Sequence, residues 1–330
     1  MGRIYNAIIR GTGRAVPSEV LDNAYFAERL DTSDEWIRVR TGIRQRYRAG
    51  ANENTVTLAK EASLKAMEDA GVTAADIDLI LFATATPNTL VPASACWLAG
   101  ELGVKNAPAS DINAACAGLT YAIVNSTVFI DSGMYRNVLV VGAETLSRFT
   151  DYEDRATCVL FGDAACALVM TRSDDPARGM LYHNLGTDGT RADHICAPAG
   201  GAALPASEMT VRERLHYIKM RGREVYKFAV VKFNQLVGQM LDETGIRPEE
   251  IDCIVPHQSN LRIIENVRQK LNLPEEKFVV NIDRYGNTSA ASVGVALDEA
   301  RRGGRIKEGD LVVMIALGAG LTWGLTLFRM

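Results

Sequence analysis

Three residues have the types and settings for group-transfer chemistry: Cys116 in NAACAG (113–118), His257 in PHQSN (256–260) and Asn287 in YGNTSAAS (285–292). A thiol becomes a nucleophile as its thiolate. Imidazole and amide N–H groups can donate hydrogen bonds to an oxygen that gains charge. Such a set suits acyl-thioester chemistry better than hydrolysis of peptides, phosphates or sugars. Each residue follows an apolar run and precedes a helical pattern. Each is therefore expected at the C-terminal edge of a strand, where open α/β sheets hold their ligands. The helix after Cys116 is expected to run to about Ile130, and its orphan N–H groups and positive dipole end would lower the thiol pKa. Ala114, Ala115, Ala117 and Gly118 leave room for a substrate beside the sulfur. Taken singly, a buried structural cysteine, a satisfied core histidine and a helix-capping asparagine explain the three residues equally well. Their joint placement on equivalent strand ends favours chemistry.

The elements that must position them repeat along the chain. The stretch from Lys65 to Gly71 leads into ADIDLILFA (75–83), and that from Met240 to Gly245 leads into EEIDCIVPH (249–257). Aligning Gly71 with Gly245 also aligns Asp78 with Asp252, at a constant offset of 174 residues. Both copies read as a helix ended by glycine, a short turn and a buried strand. Each then closes with paired strands, 137–142 with 164–170 and 311–317 with 322–328. The pattern predicts an α/β protein of two similar βα halves, 1–174 and 175–330, packed as one body. No linker rich in Pro, Gly or Ser divides them. Segment 196–210 reads as a surface loop. From Arg212 to Lys232 there are seven Lys or Arg against two Glu. A helix from about Arg223 would turn Val225, Phe228, Ala229, Leu236, Val237 and Met240 inward and those charges outward.

The bulk numbers narrow the function classes. The chain has 330 residues, 47% of them hydrophobic and 23% charged, which is enough apolar content for a large core. A net charge of −4 argues against a nucleic-acid partner. The six cysteines are scattered without CxxC or metal-like spacing and are expected to be reduced thiols of a cytoplasmic protein. No apolar stretch approaches the roughly 18 residues of a membrane span. There is no HExxH, Walker loop or post-strand GxGxxG, so no metal, flavin or nicotinamide is expected.

Six long runs then carry a family resemblance: DTSDEWIRVRTGIRQR (31–46), NAACAG (113–118), DRATCVLFGDAA (154–165), VPHQSNLRII (255–264), RYGNTSAAS (284–292) and LGAGLTWG (317–324). In them the chain resembles, nearly end to end, the β-ketoacyl-acyl-carrier-protein synthase III family of thiolase-fold condensing enzymes. The resemblance implies a thiolase-like fold layered α-β-α-β-α, and decarboxylative condensation of an acyl-coenzyme A primer with malonyl-acyl carrier protein, initiating fatty-acid synthesis. It implies a homodimer and coenzyme A as a substrate thioester, with no separate cofactor. By resemblance Cys116 takes the acyl group. The backbone N–H groups of Cys116 and Ala319 hold the oxyanion, while His257 and Asn287 donate to the malonyl thioester oxygen. Thr32, Trp36, Arg40, Arg155, Gly222 and Asn260 match coenzyme A positions: Trp36 stacks on adenine with Arg155 on its other face, Arg40 lies near phosphate, and Gly222 and Asn260 line the pantetheine tunnel. Thr32 to Glu35 also reads as a capping box opening a helix. The basic run 212–232, with Arg262, Arg268 and Lys270, would form a docking patch for an acidic carrier protein, in which Lys227 and Arg262 match the family positions best. Val91, Leu146 and Leu317 fall at the primer pocket.

The chain departs from the family pattern at three places, one of them the 196–210 loop, which borders the expected pocket and matches the family poorly. Leu317 and Ala319 stand where the family often has a phenylalanine and a run of glycines, and Ala319 would be costly if its φ had to be positive. Val91 stands where some members carry a bulky aromatic that closes the pocket from the partner subunit, so longer or branched primers would fit. Two other functions use the same residues differently. One is a specialised-metabolism acyltransferase with another acceptor. The other is a non-catalytic carrier-binding subunit, against which an intact Cys116 argues.

Overall fold

The computed structural model describes residues 5–330. Strand β1 (Asn6–Ala15) leads to a hairpin of β2 (Glu19–Asp22) and β3 (Gln45–Arg48), which carries α1 (Asn23–Ala27) and α2 (Asp34–Thr41) between its arms. There follow α3 (Thr55–Ala70), β4 (Leu79–Ala83), α4 (Ser94–Leu102), β5 (Ala109–Ile112), α5 (Gly118–Asp131), β6 (Asn137–Glu144) and β7 (Ala164–Ser173). The chain continues through β8 (Gly179–Thr187), β9 (Ile195–Cys196), α6 (Glu208–Arg212), β10 (Lys219–Met220) and the long α7 (Gly222–Thr244). It ends with β11 (Cys253–Pro256), α8 (Leu261–Leu271), α9 (Ile282–Tyr285), α10 (Ser292–Arg302), β12 (Leu311–Gly318) and β13 (Thr322–Arg329).

Two mixed sheets organise these elements. The first has the order β1-β7-β6-β4-β5 and the second β8-β13-β12-β11. In both, an inner pair runs parallel (β4 with β6, β11 with β12) and the remaining neighbours toward β1 or β8 are antiparallel. On the far side of β11, Phe278 makes one parallel bridge to Ile254 where the first sheet has β5. The apolar runs 79–83 and 253–256 are buried at every residue, as strands covered on both faces must be.

The repeat read from the sequence has matching local geometry. α3 and α7 end at Gly71 (φ 65) and Gly245 (φ 70), and 3-10 turns at 74–76 and 248–250 precede β4 and β11. The Asp78 carboxylate accepts from the Arg136 and Asn137 N–H groups at 2.9 Å, and that of Asp252 from Leu311 N–H at 2.8 Å. Each aspartate thus fastens the start of the neighbouring parallel strand.

Helices α5 and α10 lie between the sheets, where Leu119, Ile123, Val293 and Leu297 pack with Leu81, Val140, Val312 and Met314 in one buried cluster. α3 and α4 cover the outer face of the first sheet, and α7 and α8 that of the second. The result is a layered α-β-α-β-α body. Each buried aliphatic side chain contributes about 1.5–3 kcal/mol, so the central layer ties the two sheets into a single frame for the strand ends. Among the described residues, no helix is long and apolar enough to cross a membrane.

The inward face of α7 buries Phe228, Ala229, Leu236, Val237 and Met240 as expected, Phe233 joins them, and Val225 is only half-buried where it lines a cavity. Segment 196–210 departs from the expected surface loop. Its tip is exposed, but Cys196 belongs to β9, paired with Lys219 of β10, and Thr210 of α6 is buried. The predicted capping box at 32–35 does not form: the cap of α2 is Ser33, whose Oγ accepts from Trp36 N–H at 3.1 Å. The Thr32 hydroxyl is buried without a partner.

Candidate active site

Cys116, His257 and Asn287 line one cavity of about 420 Å³, together with Leu146, Gly222, Asn260, Leu317 and Ala319. Its walls are mainly apolar. Cys116 is half-buried in a 3-10 turn, Ala115–Ala117, directly ahead of α5. Ala115 before it is held at φ 46. Its N–H is bonded by Asn113 Oδ1 at 3.2 Å. The second half repeats this turn ahead of α10: Ser289 has φ 47, and its N–H donates to Asn287 Oδ1 at 2.9 Å. Left-handed backbone at two non-glycine residues is strain of the kind functional sites retain.

The chemistry of the thiol differs from the helix-dipole expectation. The helix N-terminus is in place, yet burial among apolar walls pushes the Cys116 thiol up to about 11, with the Glu144 carboxylate adding to the rise. The site therefore holds a neutral thiol at physiological pH. His257 is also neutral, because burial lowers its pKa to about 4. Its backbone N–H is fixed to Ile315 O at 2.7 Å. Its Nδ1 is enclosed without a partner, which leaves Nε2 as the nitrogen able to meet a substrate.

Asn287 is oriented from three sides. Its N–H donates to Leu160 O at 2.8 Å, and its carbonyl accepts from Gly162 N–H at 3.0 Å. Oδ1 is engaged by Ser289, so Nδ2 is the donor this amide has left where the residue lines the cavity. The cap and the remaining N–H donor are thus different atoms of one amide.

The end of β12 completes the site. A Cβ built on Gly318 would stand 2.8 Å from Cys116 N and 2.9 Å from Ala114 O, so only glycine lets this strand end approach the Cys116 turn. Thr322 Oγ1 donates to Ala114 O at 2.8 Å and closes the contact. The positive φ in this loop falls on Gly320 (φ 128), and Ala319 is not among the non-glycine residues at positive φ. The feared cost of alanine at 319 is therefore absent.

The other expected contacts lie around this centre. On α2, the Trp36 ring is covered by Arg40 at 4.7 Å and by Arg155 at 4.6 Å. Arg155 also pairs with Asp31 at 3.2 Å. Asn260 connects this group to the cavity: its Nδ2 donates to Arg40 O at 3.0 Å, while its Oδ1 caps α8 through Arg262 N–H at 2.9 Å. Thr32, Trp36, Arg40 and Arg155 are not themselves part of the cavity wall. Lys227, Arg262 and Lys270 are exposed, and Arg262 lies 5.7 Å over the Tyr226 ring. Arg268 is tied to Glu265 at 2.8 Å and is the least free of the four docking candidates. Leu146 and Leu317 line the cavity, but Val91 does not; it is 85% exposed on the surface.

Sequence reasoning missed Glu144 and Ser289, which underlie the thiol, and the apolar wall formed by Phe149, Leu160, Ile195, Ile218 and Met220. One signal for Glu144 was available: an acid ends strand 137–144, in which residues 138–143 carry no polar side chain.

Comparison with known proteins places these features. Residues 110–189 match the family model "3-Oxoacyl-[acyl-carrier-protein (ACP)] synthase III", and residues 241–330 match the model of its C-terminal part. A β-ketoacyl-[acyl-carrier-protein] synthase III of Caldanaerobacter subterraneus is 47% identical over 321 residues, covering 97% of each chain. Its namesake from Erythrobacter litoralis is 48% identical over 325 residues, covering 98% of this chain and 99% of the other. The crystal structure of 3-oxoacyl-[acyl-carrier-protein] synthase III from Aquifex aeolicus superposes with a TM-score of 0.90 at 42% identity, covering 99% of this chain and 100% of that one.

Proposed function

The chain belongs to the 3-oxoacyl-[acyl-carrier-protein] synthase III family, and we propose that it condenses an acyl-coenzyme A primer with malonyl-acyl carrier protein to start a fatty-acyl chain. The observation that carries this reading is the meeting of Cys116, His257, Asn287 and Ala319 on one apolar-walled cavity.

In the first half-reaction, Cys116 Sγ bonds to the thioester carbonyl carbon of the primer and the carbon–sulfur bond to coenzyme A breaks. The thiol proton leaves with coenzyme A. The N–H groups of Cys116 and Ala319 stabilise the tetrahedral oxyanion, an effect of about 3–4 kcal/mol per donor in other enzymes. In the second half-reaction, the malonyl carboxyl departs as carbon dioxide and leaves an enolate. Its oxygen accepts from His257 Nε2 and Asn287 Nδ2. The enolate carbon then attacks the acyl-Cys116 carbonyl, the carbon–carbon bond forms, and Cys116 leaves as thiolate and takes up one proton. The uncharged state of His257 suits a donor that must not surrender its proton.

Coenzyme A would enter past Trp36, Arg40 and Arg155, with Asn260 and Gly222 at the neck of the cavity. Lys227, Arg262 and Lys270 would meet the acidic carrier protein, and Arg268 would contribute less because Glu265 already neutralises it. A second copy of the chain is the natural occupant of the β5 side. β5 is an open sheet edge, and Leu90 and Val91 beside it are 80% and 85% exposed. Val91 would then act on the partner's primer pocket.

The test supplies purified protein with malonyl-acyl carrier protein, with and without acyl-coenzyme A, and follows carbon dioxide and 3-oxoacyl product. Release that requires the primer and matches product one to one supports the synthase. Acyl transfer without carbon dioxide would assign the chain to an acyltransferase with another acceptor.

A further inference from the structure

The 196–210 stretch belongs to a longer segment, 195–220, that supplies part of the apolar wall of the cavity. Ile195, Cys196, Ala197, Ile218 and Met220 line it together with Leu146 and Phe149 of the first half. One acid joins the two contributions. Asp151 lies two residues beyond Phe149, and its side chain is 5% exposed. The carboxylate accepts from Arg214 Nε at 3.0 Å and, through its other oxygen, from Arg214 Nη2. Lys219 Nζ donates to it at 3.2 Å and Glu153 N–H at 3.0 Å. Arg214 Nη1 also reaches the Glu153 carboxylate at 3.1 Å. Beside this cluster, Ile218 N–H donates to Phe149 O at 2.8 Å. Lys219 stands between Ile218 and Met220, so the acid holds the chain where both wall side chains originate.

The contact differs from an ordinary surface ion pair. A guanidinium gripping both carboxylate oxygens fixes distance and orientation together, and an acid withdrawn from water is little screened by salt. Arg214 keeps the Asp151 carboxyl well below the usual carboxylate range. Arg214 itself sits at φ 57, left-handed backbone that the surrounding structure must stabilise in a residue other than glycine. The segment is also braced on itself. Thr210 Oγ1 meets His216 Nε2 at 2.9 Å, Ala199 N–H donates to Leu215 O at 3.0 Å, and β9 pairs with β10. A shift of Arg214 and Lys219 would therefore carry the wall residues with it.

We propose that Asp151, acting through Arg214 and Lys219, is a positioning residue that sets the width of the primer pocket and so selects which acyl chains reach Cys116. The inference deepens the synthase reading, because it takes this cavity as the seat of the primer. None of the three side chains lines the cavity, so they act through its wall and do not touch the acyl group.

The test compares the rates at which acetyl-, butyryl- and octanoyl-coenzyme A acylate wild type, Asp151→Asn and Arg214→Gln, read by intact-protein mass spectrometry. Releasing the wall should raise the octanoyl-to-acetyl rate ratio at least ~10-fold in Asp151→Asn. The rise should be smaller in Arg214→Gln, where Lys219 still pairs with the acid. Arg214→Lys, which keeps the charge, should return most of the wild-type ratio. An unchanged ratio in the folded variants would overturn the proposal. Arg214→Gln replaces a side chain that is 36% exposed, and it decides the matter alone if Asp151→Asn does not fold. Deuterium uptake at 195–220 gives a second readout that needs no substrate. It should quicken at least ~10-fold in Asp151→Asn, and wild-type uptake there would also overturn the proposal. A wild type that takes no acyl group from any primer would instead refute the synthase reading, and the uptake would then decide whether Asp151 holds the wall.

Discussion

At the scale of residues, the cavity holds two uncharged groups, with the Cys116 thiol pushed up to about 11 and the His257 imidazole down to about 4. For His257 the sign of the pH effect follows directly. Its folded pKa lies below the unfolded 6.5, so between those values the unfolded chain binds more protons. Its contribution is fully present above pH 6.5 and is lost as pH falls toward 4. The full shift corresponds to about 3 kcal/mol. The stability difference between wild type and His257→Gln, from urea unfolding at pH 7.5, 5.5 and 4, should shrink by that order as the solution is acidified; a pH-independent difference would contradict the buried neutral imidazole. Separate half-reactions distinguish the donors: His257→Ala and Asn287→Ala should slow condensation about 10²–10³-fold each, while self-acylation from acyl-coenzyme A persists. The three central residues were legible in the sequence because each stands between an apolar run and a helical one. The thiol's environment was not. A helix start is visible in a sequence, whereas the Glu144 carboxylate comes from a strand 28 residues away and Ser289 from the other half.

At the scale of elements, the active centre depends on how closely the end of β12 approaches the turn before α5. Gly318→Ala should therefore cost at least ~10-fold in the acylation rate with the fold intact by circular dichroism, since its Cβ would meet backbone atoms that cannot give way. Ala319→Gly should change that rate less than about 2-fold, because the positive φ falls on Gly320. The opposite ranking would show that the 318–321 loop has another conformation. Helices and paired strands were readable from their periods and from the glycines at 71 and 245. The ends of α2 were less so: a T-S-D-E run offers two hydroxyls as caps, and only the backbone extended at Ser33 selects between them. The 196–210 stretch looked like a surface loop because β9 and β10 are two residues each, too short to show alternation.

At the scale of the whole molecule, the matched order of the two sheets and the helices between them bring the strand ends of both halves to one cavity. The recurrence at 174 residues foreshadowed that arrangement; which surface would meet a proposed second copy was not readable from the residues, since an open edge strand and exposed side chains are properties of the folded chain. Sedimentation should give twice the 35.9 kDa of the chain, and the double variant Leu90→Glu, Val91→Glu should shift the protein toward monomer. A wild-type monomer at micromolar concentration would remove the dimer from the account. The most direct test of the central claim is intact-protein mass spectrometry after mixing with acyl-coenzyme A, followed by a chase with malonyl-acyl carrier protein. One acyl group is expected on wild type and none on Cys116→Ala, and the group should disappear during the chase as 3-oxoacyl-carrier protein forms. An acyl group that persists through the chase, or that still forms on Cys116→Ala, would contradict it.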